Sequence, residues 1–124
     1  MKKIISIITI CLLSVMCYSQ ACFSNFGRVR MIEESRYSKS VIAEKNMFIH
    51  VNIVNDTMSV QFNEFMLQYP VTSIDTTNDA IVYHSAPNKY REIARLRVWK
   101  GDDSYCRIRV RKDAWHYIDG VFLN

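Results

Sequence analysis

Ile93-Ala-Arg-Leu-Arg-Val-Trp-Lys-Gly-Asp-Asp-Ser-Tyr-Cys-Arg-Ile-Arg-Val-Arg-Lys112 is the stretch on which the fold turns. Two runs within it alternate strictly. Ala94, Leu96 and Val98 fall on one face, with Arg95, Arg97 and Trp99 on the other. Cys106, Ile108 and Val110 then alternate with Arg107, Arg109 and Arg111. A period of two at this length indicates half-buried strands, and the polar, Gly-containing segment Lys100 to Ser104 between them indicates a turn.

Parity fixes the register. Residues directly opposite on antiparallel strands share a face. Pairing Val98 with Cys106 sets Leu96 against Ile108 and Ala94 against Val110, leaving a five-residue loop. A three-residue loop keeps the same parity. Loops of two or four would turn arginine toward the core. In the five-residue register the polar face stacks Trp99 on Tyr105, Arg97 on Arg107 and Arg95 on Arg109. Like charges directly opposite cost stability, about 0.2–1 kcal/mol per pair. Acids on flanking strands, solvent or an anionic partner must offset that cost. Glu33, Glu34, Glu44, Glu64 and Asp75 are the acids from which partners are expected.

Charge is concentrated in this hairpin. Residues 91 to 112 carry eight basic side chains against three acids, a net of +5. The chain ahead of them opens on Lys2 and Lys3, an apolar run from Ile4 to Met16, and the small-residue stretch Cys17-Tyr-Ser-Gln-Ala21. This pattern reads as a secretory signal peptide over residues 1–21, cleaved after Ser19 or Ala21. Residues 22–124 then form a single small domain, secreted or periplasmic. Without Lys2 and Lys3 the formal charge of +4 falls to +2, so the mature chain outside the hairpin is net −3. No later segment is long and apolar enough for a membrane-spanning helix. About 100 residues suffice for one core without staples.

Cys11 and Cys17 leave with the signal, and Cys22 and Cys106 remain. In an oxidising compartment the pair invites a disulfide. The alternatives are a buried, inert Cys106 and a lipid anchor on Cys22, whose preceding Ser19-Gln-Ala21 only partly fits a lipoprotein site.

A second hairpin runs from Met47 to Phe62. Ile49, Val51 and Ile53 pair with Phe62, Val60 and Met58 across an Asn55-Asp56 turn, whose residues tolerate positive φ. Further strands are expected near Val29 to Ile32, Val71 to Asp75 and Ile81 to His84. A last strand is expected over Trp115 to Leu123, broken at Gly120. Phe23 to Gly27 reads as a loop, Glu33 to Asn46 gives no usable signal, and Pro70 argues for an edge or bend. Seven or eight short strands with little helix specify an all-β meander, closed into a barrel or folded into a sandwich.

Chemistry is sparse. There is no phosphate-binding glycine loop, nucleophile elbow, His-Glu-x-x-His or Cys-x-x-Cys. Histidines 50, 84 and 116 fall on separate strands, and no metal site or cofactor is expected. Arg95, Arg97, Trp99, Tyr105, Arg107 and Arg109 are the candidate ligand-binding residues. Guanidinium groups beside aromatic rings suit carboxylates, sulfated or phosphorylated glycans, lipid headgroups or an acidic protein surface. Secretion argues against nucleic acid. The expected function is therefore a non-enzymatic binding module. A small envelope hydrolase and a structural envelope protein are the alternatives. A barrel with its arginines turned inward onto a ligand is a further arrangement, one that would expose Leu96, Val98, Ile108 and Val110.

Overall fold

The computed structural model describes residues 21–100 and 105–123. They form eight antiparallel strands: β1 (Ala21–Glu34), β2 (Lys39–Val54), β3 (Thr57–Phe62), β4 (Phe65–Thr76), β5 (Ala80–Ser85), β6 (Ile93–Trp99), β7 (Tyr105–Arg111) and β8 (His116–Leu123). Each pairs with the next, and β8 returns to β1, closing the barrel. Closure removes the sheet edge that an open meander would leave. With eight strands the interior is just wide enough to be filled by side chains.

Both predicted hairpins form in the expected register. Val98 opposes Cys106, Leu96 opposes Ile108, and Ala94 opposes Val110. Ile49, Val51 and Ile53 oppose Phe62, Val60 and Met58, and Asn55 takes φ 56° in the turn. The apolar sides of these strands meet inside: Ile49, Val51, Ile53, Met58, Val60, Leu96, Cys106, Ile108 and Val110 are essentially inaccessible. The arginines therefore stand on the outside of the wall, and the inward-arginine arrangement does not occur. Loop residues 101–104, with the Asp102-Asp103 pair, lie outside the described residues, as do residues 1–20, where most of the expected signal peptide falls.

Four elements differ from expectation. Phe23 to Gly27 is strand, part of the 14-residue β1. The unreadable stretch from Glu33 to Asn46 forms the end of β1, a short turn, and the first half of β2. Lys39 to Asn46 is exposed on both faces. With no buried side there is no alternation to read. Strand β4 runs as one element through Pro70, with a register irregularity directly after it between Val71 and Ser73; Pro70 sits where pairing changes partners, opposing Thr57 of β3, while Val71 opposes Ser85 of β5. A missing N–H is tolerated at such a junction.

Strand β8 likewise continues through Gly120. That residue points into the core, where a Cβ would meet Ile108 Cγ2 at 3.0 Å and Ile49 Cδ1 at 3.1 Å. Gly27 meets the same crowding at the β1–β8 seam, where an added Cβ would strike the Val121 carbonyl and come within 2.7 Å of Phe122 Cβ. The obstacle is largely backbone, so Gly27→Ala must open the seam. It is expected to cost about 2 kcal/mol, read as a lowered urea midpoint at unchanged slope.

Candidate anion-binding face

Closure sets outward residues of seven strands side by side. One row runs Ser73, His84, Arg95, Arg109, Asp119, Arg30, Glu44, from β4 through β8 and on to β1 and β2. The next outward row runs Asp75, Val82, Arg97, Arg107, Val121, Arg28, Asn46. The opposed pairs Arg95–Arg109 and Arg97–Arg107 form as expected. Closure adds Arg28 and Arg30, which the sequence could not place because β1 and β8 are remote along the chain.

Asp119 answers part of the repulsion. It stands on the outer face yet is 0 % exposed. Arg30 Nη2 and Arg107 Nη2 donate to its Oδ2 at 3.1 and 3.2 Å. Arg107 Nε and Arg109 Nε lie 3.0 and 3.7 Å from Oδ1, without the alignment of hydrogen bonds. Long arginine stems on both sides shield the carboxylate from water while their charged ends converge on it. Arg109 also lies over the Tyr117 ring, 4.7 Å from its centroid.

Three of the five acids expected to do this work pair with cations other than the hairpin's opposed arginines. Glu44 pairs with Arg28 at 3.2 Å, Glu34 with Arg111 and Lys39, and Asp75 with His84 at 2.8 Å. Among the described residues no acid lies within 4.0 Å of Arg95 or Arg97. Partial burial, and after it the charges of Arg109, Arg97 and Arg107, lower the pKa of Arg95. Guanidinium remains charged regardless. Three cations on one carboxylate, beside two with no acid in contact among the described residues, leave this surface strongly positive.

Shape follows from side-chain size. Arg95, Arg97, Arg107 and Arg109 line a cavity of about 30 Å³, room for roughly one water-sized group such as an anionic oxygen. Over β8, where Val121 is short, a groove of about 390 Å³ opens between Arg28 and Arg30 on one bank and Arg107 and Tyr105 on the other. A second hollow of about 280 Å³ continues past Asp119, Arg109 and Lys39. Trp99 and Tyr105 pack as a tilted pair, ring centroids 5.0 Å apart and planes at 56°, and Arg97 lies 5.5 Å from the Trp99 centroid. All six candidate residues thus share one face.

No disulfide forms. Cys22 lies exposed on the outer face, 3.9 Å from His50 Nε2, while Cys106 is buried inside. The two thiols are on opposite sides of the barrel wall, where strand alternation puts them. Burial pushes the Cys106 thiol up to about 11, so it is inert at neutral pH. In a chain beginning at Gln20, a thiol reagent at pH 8 is expected to label one cysteine before denaturation and two after it, and Cys22→Ser should abolish the first signal.

The histidines do not converge. His84 pairs with Asp75 and His116 with Asp113, and no metal-sized group of His, Cys, Asp and Glu occurs among the described residues. No family model, no curated protein and no solved structure matches this chain.

Proposed function

We propose that this protein is a secreted or envelope-located, non-enzymatic binding module that takes an anionic ligand on the outer face of β6, β7, β8 and β1. The observation that carries the reading is the state of Arg95 and Arg97. They face like charges across the hairpin with no acid within 4.0 Å among the described residues, a cost to folding without a folding benefit. An anion supplies the missing partner. Guanidinium groups with aromatic neighbours suit sulfate, phosphate or carboxylate groups, which accept two parallel hydrogen bonds from one arginine.

The test is a titration of the mature protein with heparin, a soluble sulfated polyanion. Affinity is expected to fall at least about tenfold between 50 and 300 mM salt, as displaced counterions and screening dictate. A control with Lys45 and Lys89 reversed to Glu carries the same charge change away from the face and is expected to bind within about threefold of wild type. Equal losses in this control and in a variant with Arg95 and Arg97 reversed would remove the face from the account.

A further inference from the structure

The outer face carries a second pattern beside the arginines. Two residues along each strand from Arg97, Arg107, Val121 and Arg28 stand Trp99, Tyr105, Leu123 and Phe26, and Phe48 opposes Phe26 on β2. These five side chains, from five neighbouring strands, form an uninterrupted apolar and aromatic row. Trp99 packs on Tyr105, and Phe26 meets Phe48 edge-on at 5.6 Å. The row is open to solvent: Phe26 is 70 % exposed, Leu123 55 %, Tyr105 37 % and Phe48 36 %. Nothing in the barrel's interior requires them, since the core is filled from the opposite side of the wall. Contiguous exposed apolar groups of this kind mark an interaction surface.

Position relative to charge identifies the partner. A two-residue step along a strand is roughly 7 Å. The arginine row therefore lies about that distance behind the apolar row, on the scale of the depth to which peripheral proteins bury apolar groups at a bilayer's headgroup boundary. The groove over β8 joins both features, with Phe26, Tyr105 and Leu123 at one end and Arg28, Arg30 and Arg107 at the other. Such a groove suits an amphiphile with an anionic head and an apolar tail. Tyr and Trp are the residues enriched where one end of a side chain is apolar and the other wet.

Resting on the proposed anion-binding reading, we infer that the partner of this face is a lipid surface rich in anionic headgroups. The barrel meets the surface with the Trp99–Tyr105 end of its wall leading, so that Phe26, Leu123 and Tyr105 enter the interface and Arg28, Arg97 and Arg107, one step behind, reach the headgroup phosphates. Binding needs both parts: apolar burial supplies the anchor and the arginines select the anionic surface.

Flotation of the mature protein with large unilamellar vesicles provides the test. Vesicles of equal phosphatidylglycerol and phosphatidylcholine are expected to carry the protein at 100 mM salt, and pure phosphatidylcholine vesicles are not. The exposed-site double variant Phe26→Ser with Leu123→Ser keeps every arginine. It is expected to lose at least about tenfold in vesicle affinity while retaining wild-type heparin binding and an unchanged thermal midpoint. In a Trp115→Phe background the remaining described tryptophan, Trp99, is expected to shift its emission to the blue on anionic vesicles. Heparin binding without vesicle binding would overturn the lipid reading and leave the anion-binding face intact. Full vesicle affinity in the serine variant would also overturn it. Failure to bind either probe would remove both.

Discussion

Asp119→Asn is expected to destabilise the barrel by about 3–5 kcal/mol, the loss typical of removing one partner from a buried ion pair. The substitution preserves shape and removes only charge. It leaves Arg30, Arg107 and Arg109 crowded around a neutral amide, in a site from which water is excluded. The amide also presents two donors to groups that can only donate. A loss of this size is a large share of a small domain's total stability. Urea denaturation should show the midpoint falling with little change in slope. A loss under about 1 kcal/mol would mean that solvent, not Asp119, screens these arginines.

Reversal of Arg95 and Arg97 to Glu gives the second large effect, and its signature is a pair of opposite changes. Affinity for a polyanion is expected to drop roughly 100-fold or more, since each charge-assisted bond is worth about 1.5–3 kcal/mol. Stability is expected to hold or rise. The reversal converts Arg95–Arg109 and Arg97–Arg107 from like to opposite cross-strand pairs, each contributing about 0.2–1 kcal/mol. A surface kept for binding at a cost to folding behaves in this way. Arg107→Glu would not separate the two roles, because it would set a second carboxylate against buried Asp119.

The contrast between these two variants follows from what could be read locally. The hairpin Ile93 to Lys112 was legible because each strand has one wet and one dry face. Parity alone then gave the register and the outward arginines. The same reasoning extends to β8. Pairing Arg111 with Tyr117 places Asp119 opposite Arg109, but reading Gly120 as a break discards the parity that carries this. Gly120 is a packing requirement of the barrel interior, visible only once the barrel is closed. Arg28, Arg30 and the exposed Phe26 were beyond local reading for a related reason. They join the face through the β1–β8 seam, a contact between opposite ends of the chain. The first half of β2 was illegible because it buries neither face.

The disulfide expectation failed on the alternation that succeeded elsewhere. Cys106 belongs to the inward set of β7 and Cys22 to the outward set of β1. Composition and the expected compartment suggest pairing, but the wall of the barrel separates the two sulfurs.

The most direct measurement of the central claim is a two-dimensional nitrogen–proton spectrum of the arginine Nε–H groups during titration with heparin at 100 mM salt. The account predicts that the resonances of Arg95 and Arg97 move first and farthest, with those of Arg28, Arg107 and Arg109 following, while the backbone signals of Lys45 and Lys89 stay in place. Shifts that begin at the lysines, or spread evenly over all cationic side chains, would contradict it.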